Sequence, residues 1–245
     1  MSIIFNEREH ARKILKEGLK TSRNKDFELQ LVASYLREQG YNDKKLEEEL
    51  HLFCKANFSD YNKVKMFDYI DNKVKRSKKR KLKDDFSVKI TQAEIDTVFS
   101  EDNVKYQKLL FVYLVLAKYY MENSNSDKYY VGCEDNDIFK LCDMYTRKQE
   151  RLDMMHYLTV KGYITPTSKM SSIVNYVNED SEVVMEVVPD ETMIYRFEEK
   201  YLGGIFINCE ICGKLVKKTN NRLKYCKECA KDINAKNALL FAQKK

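Results

Sequence analysis

The chain has 245 residues, with 44 Lys and Arg against 38 Asp and Glu, a net charge of +6 at neutral pH. Seven glycines and two prolines are too few for collagen-like sequence or a turn-dense β-sandwich, and an apolar fraction of 43% with 12 Phe and 17 Tyr excludes global disorder. At roughly 100–200 residues per domain, the length fits one or two domains with a small appendage, and so little Gly and Pro favours helices.

Residues 1–83 read as an N-terminal helical domain. Asn6 with Glu9 fits a capping box, Ala11, Ile14 and Leu15 follow at helical spacing, and Gly18 can end that helix. Asp26 opens a second helix with Leu29, Val32, Ala33 and Leu36 on one face, stopped by Gly40. Asp43 opens a third with Leu46, Leu50 and Phe53. Ser59 or Asp60 opens a fourth with Val64, Phe67, Ile70 and Val74. One apolar stripe per helix predicts that the four bury those stripes against one another.

Residues 73–83 then carry eight Lys or Arg and no acid, and Asp84 and Asp85 end the run. This is the predicted domain boundary. The run reads as the solvated end of the fourth helix, as a stripe for nucleic acid (Lys75, Arg76, Lys78, Lys79, Arg80, Lys81), or as a localisation-like signal.

Residues 84–204 have another rhythm. Thr91 with Glu94 is a second capping box. A long apolar helix over 104–121 follows, then a loop over 123–127 and a short strand at 129–131. Asp135 or Asn136 caps a helix over about 136–144, and Thr146 with Gln149 opens one over 147–161, closed by Gly162. β-prone runs come next at 163–165, 172–177 and 183–188, then a short helix within 191–202. Helix, strand, helix, helix and β-wing is the order of a winged helix, whose third helix enters the major groove in DNA-binding versions. Its exposed residues here are expected to include Arg147, Lys148 and Arg151, with Leu152, Met155 and Leu158 or Thr159 turned inward. Thr167, Ser168 and Lys169 fall at the predicted wing. Glu150 and Asp153 dilute the positive charge, and a winged helix also serves as a protein-docking scaffold.

Residues 205–245 carry the strongest chemical signal. Cys209, Cys212, Cys226 and Cys229 form a C-x2-C-x13-C-x2-C pattern. Two thiolates two residues apart can grip one metal across a tight turn, and Gly213 suits the positive φ such a turn needs. Two such knuckles make a tetrahedral all-thiolate site, which is how structural zinc is held, with no position left for a catalytic water. Bound zinc contributes about 10–16 kcal/mol of apparent folding free energy to small modules of this kind. Iron fits the same ligands. Cys54 and Cys142 read as core residues, and Cys133 as an isolated thiol. From Lys214 to Lys231 there are seven basic residues and one acid, Glu228. A basic ribbon of this kind can bind phosphates through Lys217, Lys218, Arg222 and Lys224, with Tyr225 as a stacking face. Such ribbons also dock on proteins. A C-terminal helix from Asp232 to about Phe241 follows, and Leu239, Leu240 and Phe241 could pack on the ribbon.

No phosphate-binding glycine loop, nucleophile elbow or zinc-protease motif is present, and His10, His51 and His156 lie far apart. Catalysis is not expected. The N-terminus lacks the pattern of a signal peptide, and the longest apolar run, Leu109–Ala117, is well short of the roughly 20 residues that span a bilayer. The expectation is a cytoplasmic protein without a membrane partner, its cysteines thiols or metal ligands.

The string from Cys209 to Cys229 resembles the zinc-binding tail of a group of proteins of phages and prophages of low-GC Gram-positive bacteria, with the four cysteines matching residue by residue. Leu31 to about Val74 resembles the small helical region that follows the catalytic part of phage primases, without a primase catalytic motif. The resemblance implies a mobile-element context.

The sequence thus predicts a mainly α chain with a smaller β part (α+β), built as a helical domain, a winged-helix-like domain and a four-cysteine zinc ribbon. The expected role is non-enzymatic binding of DNA or RNA in replication or transcription control. The rival is a phage-encoded, protein-binding inhibitor of a host complex, such as a defence complex or a polymerase that handles nucleic acid.

Overall fold

The computed structural model describes residues 3–19, 24–83, 86–123, 127–167 and 171–243, without the side chains of 239–243. Asp84 and Asp85, most of the 123–127 loop, the predicted wing residues Ser168 and Lys169, and the side chains of Leu239, Leu240 and Phe241 lie outside the described residues. Helices dominate, with three small antiparallel sheets. The chain divides into two compact units, Ile4–Asp85 and Phe86–Lys245. The segments expected as separate winged-helix and ribbon domains therefore fall in one unit. Among the described residues, no helix is long and apolar enough to cross a membrane.

The first unit holds α1 (Glu7–Glu17), α2 (Lys25–Glu38), α3 (Asp43–Asn57) and α4 (Phe67–Ser77). Asn6 caps α1, its side chain accepting from the Glu9 amide at 2.7 Å. Gly18 ends the helix at φ 78°, and a Cβ there would lie 2.4 Å from the Asn57 side-chain oxygen that accepts from the Leu19 amide. The expected apolar faces meet as one core of Ile14, Leu29, Val32, Ala33, Leu36, Leu46, Leu50, Cys54, Ile70 and Val74.

Three helix starts differ from the sequence reading. α2 begins at Lys25 with Asn24 at its cap, ahead of Asp26. Asn42, one residue before Asp43, caps α3 by accepting from the Lys45 amide at 2.9 Å. The fourth helix begins at Phe67, not at Ser59 or Asp60. The Asn62 side chain accepts from the amides of Val64 and Lys65, and its carbonyl accepts from Met66, so a side-chain-closed turn occupies the predicted first helical turns. Val64, expected on the apolar stripe, is consequently 85% exposed, and Phe67 is exposed too.

The second unit runs β1 (Val88–Thr91), α5 (Gln92–Phe99), α6 (Val104–Glu122), β2 (Tyr130–Val131), α7 (Asp135–Leu141), α8 (Lys148–Val160), β3 (Ile164–Pro166), β4 (Ser172–Val174), β5 (Val183–Val187), α9 (Met193–Tyr201), β6 (Phe206–Asn208), β7 (Leu215–Lys217) and α10 (Lys227–Gln243). α6 is the axis. Every residue from Leu109 to Tyr119 on it is buried, as an all-round apolar helix requires. The predicted box at Thr91 forms, its amide donating to Glu94 at 2.9 Å. That carboxylate is fully buried and meets Lys118 at 2.8 Å while also accepting from the Asn178 amide.

Strands β2, β4 and β3 pair antiparallel in that order, with Tyr130 opposite Ile173 and Ile164 opposite Val174. The run 183–188 does not extend this sheet, because β5 pairs with β1, Val187 opposite Val88. α8 corrects two expectations. Arg147, not Thr146, sits at its cap, and the Thr146 carbonyl accepts from the Arg151 side chain at 2.7 Å. Its inward residues are Met154 and Leu158, whereas Leu152 is 48% exposed. The apolar residues of α8, Leu152, Met154, Met155, Tyr157, Leu158 and Val160, spread around the helix, so their spacing does not fix its face. α10 begins at Lys227, five residues before the predicted start, so its first turn carries Cys229.

Candidate metal centre

Two local structures build the cysteine site. After β6, the Cys209 amide donates to the Lys214 carbonyl at 2.9 Å, and the Gly213 amide donates back to the Cys209 carbonyl at 2.9 Å. This hairpin knuckle needs Gly213 at φ 71°, where a side chain would be strained. The second knuckle is the start of α10, where the Cys229 amide lies 3.4 Å from Cys226 Sγ. A bond from the Glu210 amide to the Lys224 carbonyl, 3.0 Å, ties the two together.

The four sulfurs lie within 4.8 Å of one another, and those of Cys212 and Cys226 are 3.8 Å apart. A tetrahedron with metal–sulfur bonds of about 2.3 Å has sulfur–sulfur edges of about 3.8 Å. Cys209 and Cys226 are buried, Cys229 is half-buried and Cys212 is exposed. Backbone amides, led by those of Cys212 and Cys226, pull the Cys209 pKa down to about 6, while hydrogen bonding to Cys226 and the neighbouring thiols pushes Cys229 up. The Cys209 thiolate is thus favoured and that of Cys229 opposed, and a bound cation would favour ionisation of its ligands. These four residues can hold a metal ion.

No family model, no curated protein and no solved structure matches the chain.

The surroundings of the centre put several residues predicted to touch nucleic acid in other employment. Lys217 on β7 lies 3.0 Å from Glu198 of α9, which also meets Lys108 of α6. Lys214 pairs with Glu191 at 2.6 Å, and Phe206 stacks on Tyr195 with ring centres 5.1 Å apart. These interactions fasten the ribbon to α6 and α9. Glu198 is 4% exposed. Burial opposes its ionisation, but hydrogen bonds from Lys108 and Lys217 outweigh that and hold its pKa below the usual value. Its role went unread because a lone acid in α9 carries no motif; the only signal is its place beside Ile194 and Phe197 on the buried stripe. Lys224 is 3.5 Å from Glu210. Lys218 is half-buried and Arg222 exposed, neither with an ion pair among the described residues.

The run 73–83 is also largely occupied. Lys73 is buried and pairs with Asp26 at 2.6 Å. Lys75 pairs with Asp71, Lys78 with Asp43 and Arg80 with Glu7. Arg76 is exposed and assists Lys73, the main cause, in holding the Asp26 carboxyl down. Lys79 and Lys81 are exposed without an ion pair among the described residues. On α8, Arg147 and Lys148 are exposed and Arg151 is half-buried against Thr146. Glu150, expected to dilute their charge, is paired with Lys105 at 2.6 Å.

Proposed function

We propose that this is a non-enzymatic nucleic-acid-binding protein whose winged-helix-like region is braced by a structural zinc ribbon. The observation that supports the reading is the order α6–β2–α7–α8–β3–β4 with the sheet order β2–β4–β3, which is similar to the order of a winged helix, together with exposed Arg147 and Lys148 at the start of α8. Zinc is the metal that four thiolates with no open position suit best. The cationic positions left open for phosphates are Arg147 and Lys148 on α8, Lys218 and Arg222 on the ribbon, and Arg76, Lys79 and Lys81 in the first unit. A phage or prophage context, implied by the likeness of the cysteine string, and a cytoplasmic location, expected from an N-terminus without a signal-peptide pattern, belong to the same proposal. Gel shifts at low salt with single- and double-stranded DNA and with RNA test it. Binding should weaken steeply with salt, because each neutralised phosphate releases counterions.

A second reading is a docking module for a host protein complex that handles nucleic acid. It is favoured by apolar exposure around the same helix: Tyr145 before α8 is 91% exposed, and Val160 at its end is 71% exposed. Pull-down from a bacterial lysate with and without nuclease separates the two, since partners that persist after nuclease support docking on protein.

A further inference from the structure

A cavity of about 550 Å³ opens on the outer face of α3 in the first unit. Lys44, Glu47, Glu48, His51, Leu52 and Lys55 line it from the helix, at the spacing of one helical face, and Tyr61 and Lys63 line it from the following turn. That turn is a built wall. The Asn62 side chain holds the amides of Val64 and Lys65, and the Tyr61 amide donates to the Phe58 carbonyl.

Two features set this cavity apart from an ordinary charged helix surface. The first is His51, 7% exposed in the floor. Its Nδ1 lies 2.9 Å from the Tyr61 hydroxyl, and its Nε2 is buried without a hydrogen-bond partner. The nearest carboxylate, Glu47, is 3.9 Å away, beyond hydrogen-bond reach. A buried polar atom left unpaired is costly, and a ligand oxygen admitted by a turn of the Glu47 side chain would satisfy it. The second is the state of the lysines. Lys44, Lys55 and Lys63 form no ion pair among the described residues, although Glu47 and Glu48 share their face. In the denser run 73–83, by contrast, lysines are captured by acids from other helices.

We propose that this cavity binds a phosphorylated nucleoside, either a free nucleotide or the terminal nucleotide of a strand. Three ammoniums meet the phosphate dianion, with the imidazole Nε2–H as a directed donor once Tyr61 donates to Nδ1. Glu47 and Glu48 accept from sugar hydroxyls or a base amine, and Tyr61 with Leu52 supplies a face for the base. The volume falls in the range of roughly 300–1,000 Å³ typical of small-molecule sites. The two carboxylates repel a bare inorganic phosphate, so the nucleoside part is needed for affinity. The strand-end arm rests on the nucleic-acid reading above; the free-nucleotide arm does not.

The test is calorimetric titration of the full chain with adenosine 5′-monophosphate, adenosine and inorganic phosphate. It is paired with fluorescence anisotropy of one oligonucleotide carrying either a 5′-phosphate or a 5′-hydroxyl. The monophosphate should bind about tenfold or more tightly than adenosine or phosphate alone. The triple variant Lys44→Ala/Lys55→Ala/Lys63→Ala, made at exposed positions and checked for an unchanged melting temperature, should lose that preference. His51→Gln should weaken the monophosphate more than adenosine. Binding of the monophosphate without any oligonucleotide binding would support the cavity and remove the nucleic-acid reading. Oligonucleotide binding indifferent to the 5′-phosphate and to the triple variant, with no preference for the monophosphate, would overturn the cavity proposal and leave that reading standing.

Discussion

In the run 73–83, Lys73, Lys75, Lys78 and Arg80 each meet a carboxylate of their own helical unit. Around the cysteine ribbon, Lys214 and Lys217 meet Glu191 and Glu198, while Lys218, Arg222, Lys227 and Lys231 form no ion pair among the described residues. Along the chain, both stretches look like phosphate-binding patches. In the fold, the first mostly closes a helical bundle, and the second hangs on a metal site and one buried carboxylate. Local charge density therefore overstates the free charge of the first stretch, because its partners come from residues up to 73 positions away.

The severest way to break the contrast is to strip the four cysteines of the metal they can hold. Zinc contributes about 10–16 kcal/mol to small thiolate modules. Chelation should raise hydrogen exchange across 205–230 and leave α1 to α4 protected, as exchange mass spectrometry can show. Equal loosening of both regions would mean that the ribbon is not a separate metal-dependent element. Next in size is Glu198→Ala, which strands Lys108 and Lys217; breaking a buried pair costs about 3–5 kcal/mol. Chemical denaturation should register that loss. Lys73→Ala should cost less, about 1–3 kcal/mol, since Asp26 remains open to water once its partner is gone.

Acid should act in a defined direction. The folded-state pKa of Glu198 lies below its ordinary value of 4.5, so its contribution is complete above that pH and fades as pH falls through the folded value. Melting curves below pH 4.5 should drop more steeply for the native chain than for Glu198→Gln. The smallest effect separates the cations of the first run. Replacing Lys79 and Lys81 by Ala should weaken nucleic-acid binding with little change in melting temperature. Replacing Lys75 and Lys78 should change binding less, because their charges are already answered.

What the sequence discloses follows from how local each feature is. The caps at Asn6 and Thr91, the long apolar run of α6 and the four spaced cysteines are set within a few turns of chain, and they stand where the sequence places them. Helix α4 starts late because the Asn62 turn competes with helical hydrogen bonding, a contest that apolar spacing does not register. Leu152 is misplaced because the apolar residues of α8 spread around the helix and define no single side. The ion pairs of Glu198, and those of Lys73, Lys78 and Arg80, arise from distant segments meeting, and no spacing rule reaches them. The His51 cavity is local, but it depends on how the turn after α3 folds back over the helix.

The most direct test of nucleic-acid binding is anisotropy of labelled single- and double-stranded DNA and RNA with the zinc-loaded chain over a salt series. Binding should appear at low salt and fall linearly in log–log form. For Arg147→Ala/Lys148→Ala the slope should be shallower by about one unit for each phosphate no longer neutralised. No binding to any of these nucleic acids at low salt, or binding indifferent to salt, would contradict the proposed function.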